Sequence, residues 1–509
     1  MRILDLGCHD GYISTYLAEK LKATVDGCDL SPEAVRRAQE RACKHGMEGR
    51  FKVCAAEDAG THFEPGSYDA VICFELIEHV PDMGRLLDTA EQMVAPGGVV
   101  YISTPDGTFG AGGNPHHLRC LRAIDLTELL RRRGDLETVR VGSDGITCAA
   151  YKPRKRLGEV TIHTGGGWQE WSPLDIARKG LGGSETAAVR LAEQLSVMGW
   201  VVTVYGQISP CVYKDVVFRP NHMFDPLEER EIFISSRVPE LFDRPVNAKH
   251  RFLWVHDIDC ADRLTERRAE QIDHVMALSA FHAAHLAKVY PFLGEKIVQT
   301  RNGIELSYFD GEQPEREKRL LYTSSPDRGL DVLLELWPKI LREVPDAIFE
   351  FCYSDVYNAV AAQDPVVGEH HAKIQRLIKG LVNVKQLGSL SQPELARLMR
   401  SSVVWAHPSW VTAIECPFLE TSCIGAMEAQ AAGLHIVAAN VGALTETVQV
   451  GDLIDAGPGG HDALVAGIVK GLTDEEAQAY AQENGPSVAA GLGWDGVAKR
   501  FVELADTHK

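Results

Sequence analysis

GLGGSETAAVRLAEQLSVMGWVVTVYG, residues 180–206, holds in one run a glycine turn, a helical pattern and an apolar strand. A strand candidate, EVTIHT from Glu159, precedes it. Strand, turn, helix and strand in that order form the unit of a parallel sheet wound by helices. Gly180, Gly182 and Gly183 let backbone N–H groups approach an anion together at the helix N-terminus. A cap role for Ser184 accounts for the serine but leaves the three glycines unexplained.

The same alternation continues on both sides. Downstream come EIFISS, RFLWVHD and HVMALS, then NGIELSYFDG, then RLLYTS, AIFEFCYS, VNVKQLG, VVWAHPS and HIVAAN. Upstream, RILDL, TVDGCDL, DAVICFEL and GVVYIST alternate with SPEAVRRAQERACKHG and DMGRLLDTAEQMV. The basic stretch KPRKR (152–156) interrupts the pattern and reads as a solvated linker. The expected division is residues 1–152, a linker 153–158, then 159–312 and 313–509, the last with a helical tail. Each segment has the size of a domain.

With 509 residues, 45% of them hydrophobic and 24% charged, the chain has the composition of a soluble protein with several cores. No run of about 18 apolar residues occurs, and MRILDLGC does not read as a signal peptide, so a cytoplasmic location is expected. Twelve scattered cysteines without a C-x-x-C pair read as buried thiols of a reducing compartment. The net charge of −19 argues against non-specific duplex binding, which needs a basic face.

In the first segment, ILDLGCHDG places Gly7 and Gly11 in a turn between a strand and the helix YISTYLAEKL. Asp29 ends the next strand, where a carboxylate can accept both hydroxyls of a ribose. With SYDAVICFELIEHVPD and APGGVVYISTP further on, the order resembles that of the class I S-adenosylmethionine-dependent methyltransferases over nearly all of residues 1–150. The resemblance implies that Asp5, Gly7 and Gly11 surround the methionine part of S-adenosylmethionine. It places Asp29 at the ribose and Glu57 or Asp58 near the adenine. His9 departs from the family's D-x-G-x-G-x-G pattern, standing at its middle glycine.

ELIEHVPD brings Glu75, Glu78 and His79 just after a strand, and GNPHHLR supplies His116 and His117 after the next. Some methyltransferases acting on vicinal hydroxyls carry a similar E-x-x-E-H with a downstream histidine and bind a divalent ion. Glu75, Glu78, His79 and His117 are therefore candidate ligands for Mg²⁺, Mn²⁺ or Zn²⁺. The alternative is that Glu78 and His79 line the next helix without a metal, with His79 or His117 as general base. The sequence starts almost on its first strand, which predicts an open acceptor site or one completed by the second half.

In the remaining chain, GGSE, WVHD, NGI, SPDRGL, HPS and a pair of glutamates eight apart, Glu420 and Glu428 in ETSCIGAMEAQAAG, follow in order. This series resembles the retaining glycosyltransferases of family 4, with the two-Rossmann GT-B architecture, over roughly residues 159–480. The resemblance implies a nucleotide-diphosphate sugar between two Rossmann-like domains. Arg328 would contact the diphosphate, Glu420 the transferred sugar and Glu428 the nucleotide ribose. His256 would lie near the sugar's 6-position, and Gly182 and Gly183 near the diphosphate. Two departures stand out. Ser324 or Ser325 lies near the position of a usual arginine, with Arg328 in place of a lysine. The family's E-x-F-G-x loop reads ETSCI, so Thr421, Ser422 and backbone amides are expected to grip the sugar. No D-x-D segment ends an equivalent strand, so no metal is expected in this half.

A helix separates positions eight apart by about 12 Å, too far for a shared proton but suited to two ends of one ligand. The function expected is a bifunctional transferase that adds a sugar to a glycan with retention and methylates a hydroxyl of a sugar. His79, His256, Arg328 and Glu420 are its candidate catalytic residues. One half acting only as a binding module, and sugar or methyl modification of nucleic acid, are the alternatives.

Overall fold

The structure, a computed structural model, describes all residues except 48–49, 110–114, 132, 154–156, 168–169, 179, 354, 410–418 and 507–509. Residues 154–156 of the expected linker, Gly113 and Asn114 of GNPHHLR, and Trp410 after HPS thus lie outside the described residues. Two units, Met1–Leu157 and Gly158–Lys509, form separate sets of internal contacts.

The first unit is built on one sheet. Its strands are β1 (Arg2–Leu6), β2 (Thr24–Asp29), β3 (Phe51–Val53), β4 (Tyr68–Phe74), β5 (Val94–Pro105), β6 (Gly134–Val141) and β7 (Ile146–Pro153). They lie in the order 3-2-1-4-5-7-6, with β1 to β5 parallel and β7 antiparallel to β5 and β6. Period-two alternation buries both faces of the central strands. Leu4 and Leu6 join Val71, Cys73 and helix residues Leu86, Leu87 and Met93. Ile3, Val25 and Ile72 meet Ala18 on the other face. The helix Pro32–Lys44 starts where its sequence says it should: the Ser31 side chain accepts from the Ala34 N–H, and proline occupies the first turn.

The second unit has two sheets. The first consists of β8 (Glu159–His163), β9 (Val201–Gly206), β10 (Cys211–Tyr213), β11 (Val216–Pro220), β12 (Arg230–Ser236), β13 (Ala248–Trp254), β14 (His274–Ala277) and β15 (Ile297–Gln299). Their order is 10-11-9-8-12-13-14-15, so the strand direction of travel reverses beside β8. The second consists of β16 (Arg319–Tyr322), β17 (Ile348–Phe351), β18 (Val384–Gln386), β19 (Val404–His407), β20 (His435–Ala439) and β21 (Asp452–Ile454), in the order 18-17-16-19-20-21 and all parallel. Ligands of open parallel sheets bind outside the carboxyl ends of strands at such reversals.

The last helix, Trp494–Asp506, follows the second sheet in sequence but packs on the first. Trp494, Val497 and Phe501 share a core with Phe252 and Trp254 of β13. The outgoing and returning chain segments run side by side, with the Ile304 N–H donating to the Leu492 carbonyl at 2.9 Å. Among the described residues, no helix is long and apolar enough to cross a membrane.

Candidate functional site

In the first unit the loop after β1 is fixed from below. The N–H groups of Gly7 and Cys8 both donate to the Cys28 carbonyl at 2.9 Å. Gly7 and Gly11 have φ of 77° and 74°, and His9, at the family's middle glycine, also takes a left-handed φ of 46°. The backbone conformation of the glycine pattern is therefore kept at position 9, with its side chain pointing to solvent. The His9 N–H donates to Asp29 Oδ2 at 3.0 Å, and the Ser31 N–H donates to Asp29 Oδ1 at 2.9 Å. These bonds orient a carboxylate at the tip of β2 beside the loop. Asp5 is buried and accepts from Ser14 Oγ; burial raises its pKa to about 6 against the pull of that hydrogen bond and with a push from Asp29.

Gly11 permits no side chain. A Cβ there would lie 2.8 Å from Ala38 Cβ and 2.9 Å from Ala38 Cα, at a φ that disfavours L-residues. Gly11→Ala is expected to destabilise the first unit by about 2 kcal/mol or more. A lowered melting transition of that unit, with the second unit's transition unmoved, checks this.

Glu57 and Asp58 lie in the turn Ala56–Thr61 just past β3. The Glu57 carbonyl accepts from Thr89 Oγ1 at 2.9 Å, and Asp58 pairs with Arg85. Near the ends of β4 and β5, Glu78, His79 and His117 offer ligand atoms that all lie within 4.8 Å of one another. Both carboxylate oxygens of Glu78 are buried with no hydrogen-bond partner among the described residues. An orphaned buried carboxylate beside two imidazoles fits a cation. His79 Nδ1 lies 3.1 Å from the His116 carbonyl, so it donates there and leaves Nε2 as the basic nitrogen, 4.0 Å from Glu78 Oε1. Glu75 does not belong to this group: its Oε1 accepts from Ser103 Oγ at 2.8 Å, and burial raises its pKa despite that bond.

In the second unit, the helix Gly183–Val197 begins at the glycine turn with Gly182 as its cap and no side-chain cap bond. Ser184, the candidate cap, lies two residues past that position; its Oγ donates to Glu185 and accepts from Arg237 at 3.1 Å. Gly183 faces open space, and Gly180 has a φ of 77° with the Leu390 carbonyl 2.7 Å from where its Cβ would stand. His256 follows β13 with its ring 4.3 Å from Trp254. Burial, reinforced by Arg237 and His282, lowers its pKa to about 3, so the ring is neutral, and its Nε2 has no partner among the described residues.

The remaining predicted site residues of this unit gather near the ends of β16 and β19. Arg328 ends a short turn, Pro326–Arg328, ahead of the helix Leu330–Glu343. Its Nη1 donates to Glu420 Oε1 at 3.2 Å, and His407 Nε2, at the tip of β19, donates to the same oxygen at 3.0 Å. Burial alone would raise the Glu420 pKa, but the Arg328 charge and the His407 bond outweigh it and bring it to about 2. Glu420 lies in the loop before the helix Ile424–Ala431, its carbonyl accepting from the Ala443 N–H at 2.8 Å. Glu428 lies in that helix, 6% exposed; burial lifts its pKa to about 7, although Arg190 draws it down. Thr421, expected to grip sugar, instead donates from Oγ1 to the His256 carbonyl at 3.0 Å, tying the two halves of the unit together. Ser422 Oγ stays buried and unpartnered among the described residues. His407, Glu420 and Cys423 also offer ligand atoms within 4.8 Å of one another, and the cation against them is the Arg328 guanidinium.

Sequence reasoning missed two functional candidates. His407 carried a signal only as the residue before Pro408 and Ser409. Arg237 follows β12 at a φ of 70°, pairs with Asp257 at 2.9 Å and reaches Ser184. A charged residue directly after a buried central strand was its only mark.

The family model for a methyltransferase domain matches residues 1–130, and that for glycosyl transferases group 1 matches residues 307–488. The ubiquinone biosynthesis O-methyltransferase of Xanthomonas euvesicatoria is 30% identical over 177 residues, covering 31% of this chain and 72% of that protein. The Xanthomonas campestris (strain B100) protein of the same name is 36% identical over 110 residues, 22% of this chain and 45% of that protein. Among solved structures, sucrose-phosphate synthase from Thermosynechococcus elongatus has a TM-score of 0.51 at 16% identity, covering 70% of this chain and 99% of that one. The Anabaena protein HepE, in complex with UDP and glucose, has a TM-score of 0.50 at 16% identity, covering 69% and 100%. These likenesses show the GT-B fold of the second unit.

Fold and sites together define a transferase built on three Rossmann-like sheets, one in the first unit and two in the second. The chain belongs to the methyltransferases through its N-terminal unit and carries a group 1 glycosyltransferase domain at its C-terminal end.

Proposed function

We propose that the chain is a bifunctional enzyme that transfers a sugar from a nucleotide-diphosphate sugar to a glycan, with retention, and methylates a hydroxyl of a sugar with S-adenosylmethionine. The observation that carries the first half is the buried Glu420 carboxylate, held ionised by Arg328 and His407 beside a separately buried Glu428. Glu420 then orients sugar hydroxyls, and the Arg328 guanidinium charge stabilises the departing diphosphate together with the N-terminus of the helix from Gly183. The leaving diphosphate takes the acceptor proton, so no protein base is required. Glu428 accepts the ribose hydroxyls. Neutral His256 supplies a hydrogen bond at the sugar without a competing charge.

In the first unit, Asp29 holds the ribose of S-adenosylmethionine, Asp5 and the glycine loop its methionine part, and Glu57 or Asp58 its adenine. His79 Nε2, whose partner nitrogen is anchored on the His116 carbonyl, takes the hydroxyl proton as methyl moves. The alternative is that Glu78, His79 and His117 would hold a divalent ion, with His79 Nε2 a ligand in place of the base, and the ion's chemistry would be to acidify that hydroxyl.

Two sites on one chain keep an intermediate at high effective concentration for the second step. Incubation with S-adenosylmethionine, a panel of nucleotide sugars and glycan acceptors is expected to yield S-adenosylhomocysteine and a nucleoside diphosphate. Glu428→Ala should remove the second product and leave S-adenosylmethionine binding intact. Neither product with any acceptor would refute the assignment.

A further inference from the structure

The turn after β20 reads NVGALTET, residues 440–447, and rides on the two segments that carry Glu420 and Glu428. Gly442, at a φ of 57°, comes so near the Glu420 backbone that a Cβ there would lie 2.9 Å from the Glu420 carbonyl oxygen. The Ala443 N–H donates to that carbonyl at 2.8 Å, and Thr447 Oγ1 donates to the Ser422 carbonyl at 2.7 Å. Gln430, in the helix of Glu428, donates from Nε2 to the Thr447 carbonyl at 2.9 Å. Turn, loop and helix are thus joined into one piece.

From this piece one side chain crosses to the other half of the unit. Glu446 accepts at both carboxylate oxygens, from the Ala280 N–H at 2.9 Å and the Phe281 N–H at 2.6 Å. These are the first two N–H groups of the helix Ala280–Val289, whose first turn holds no acid and whose cap, Ser279, accepts from the His282 N–H at 3.1 Å. The helix has its own cap, and Glu446 takes the positive end that the cap leaves open. Glu446 and Ala280 are exposed, so water can replace the carboxylate without unfolding the helix. Water cannot replace the tie between the halves. The helix follows β14 and His256 follows the neighbouring β13, so the Glu446 contact and the 3.0 Å bond from Thr421 to the His256 carbonyl lie at adjacent strand ends. Both reach out from the piece that holds Glu420.

We propose that Glu446 is a positioning residue for glycosyl transfer: its grip on the helix Ala280–Val289 closes the cleft and sets the Glu420 loop against His256. This rests on the donor-site reading above, in which Glu446 touches no reacting atom. A misplacement of about 1 Å at a reacting centre costs on the order of 10²-fold, and closure completes a constellation after the ligand has bound.

The test uses the full chain as wild type, Glu446→Ala, Ala280→Pro and the double variant. Proline is favoured at the first helical position and lacks the N–H that Glu446 Oε2 receives, so Ala280→Pro removes that bond from the other side with the helix intact. Calorimetry with UDP, GDP and dTDP, turnover of the corresponding nucleotide hexoses, and amide hydrogen exchange with and without nucleotide are compared. Glu446→Ala is expected to melt within about 3 °C of the wild type and to bind the nucleoside diphosphate within about 3-fold, yet to lose about 10- to 100-fold in kcat. Its exchange should quicken in peptides spanning Trp254–Asp257 and Glu420–Ser422 as well as at Ala280 and Phe281. Ala280→Pro should show a smaller loss of the same kind, and the double variant should lose less than the product of the two single losses. Wild-type kcat in Glu446→Ala, single losses that simply multiply, or quickened exchange confined to Ser279–His282 overturns the proposal and leaves Glu446 a helix cap. A wild type that binds no nucleoside diphosphate overturns the donor-site reading instead, and exchange without nucleotide then still judges the clamp.

Discussion

Replacing Arg328 by alanine is expected to lower glycosyl transfer by about 10²- to 10³-fold, the loss found when a donor aimed at developing charge is removed. The same change should destabilise the second unit by about 3 kcal/mol, because it leaves a buried carboxylate without its cation. The figure stands at the low end for such pairs because the Arg328 side chain is 31% exposed. The pH profile separates this mechanism from a mere packing defect. In the wild type Glu420 has a folded-state pKa of about 2, below its ordinary 4.5. It therefore contributes stability that is present above pH 4.5 and lost as pH falls toward 2. Without Arg328, burial dominates and the sign reverses, so stability declines as pH rises through 4.5. Denaturant melts of the second unit at pH 5 and pH 8 should show the larger deficit at pH 8. An equal deficit at both would remove Glu420 ionisation from the explanation. Arg328→Lys keeps the charge but not the planar fork and should fall between the two in transfer rate.

The strands were legible because each is an apolar run closed by glycine, proline or a polar cluster, and because buried parallel strands need apolar residues on both faces. Glu420 and Glu428 were legible as a pair because two carboxylates in an Ala- and Met-rich run have no structural excuse. Their surroundings were not. His407 reaches Glu420 across thirteen positions of chain, and only the approach of the strand tip to the loop makes them neighbours. Thr421 looked free to bind sugar, yet its hydroxyl is engaged by the His256 carbonyl, a partner 165 positions away. Glu75 had the spacing of a ligand, but its Oε1 accepts from Ser103 Oγ, and it lies outside the 4.8 Å group of Glu78, His79 and His117 at a left-handed φ of 50°. Such outcomes depend on backbone direction at single residues, which periodicity does not encode. The last helix shows the same limit at larger scale: its apolar face is evident, while the sheet it covers is chosen by the return of the chain at Gly493.

Glu428 offers a case in which function and stability oppose each other. Its carboxyl is buried and has a pKa of about 7 in place of 4.5, with burial the cause and Arg190 the charge that limits the rise. A group whose folded pKa is raised holds its proton more tightly in the native state. A carboxyl of this kind costs nothing at low pH and destabilises as pH rises from 4.5 to 7. The difference between 7 and 4.5 corresponds to about 3 kcal/mol at pH 8. Glu428→Gln is therefore expected to make the second unit more stable than the wild type by up to about 3 kcal/mol at pH 8 and to equal it near pH 4. The variant should nevertheless bind nucleoside diphosphates about 10- to 100-fold more weakly, because a hydrogen bond to a charged acceptor contributes about 1.5 to 3 kcal/mol and a neutral amide recovers only part of it. Wild-type affinity should rise as pH increases through 7 and the carboxylate forms, whereas that of Glu428→Gln should stay flat. The ribose assignment adds a second readout: the wild type should discriminate against 2′,3′-dideoxy nucleoside diphosphates, and the variant should not. A variant that is stabilised yet keeps both the pH response and the ribose preference would place the ribose elsewhere. A carboxylate retained in a dry site at this cost, and relieved only when hydroxyls reach it, is what a donor pocket tuned for binding over stability requires.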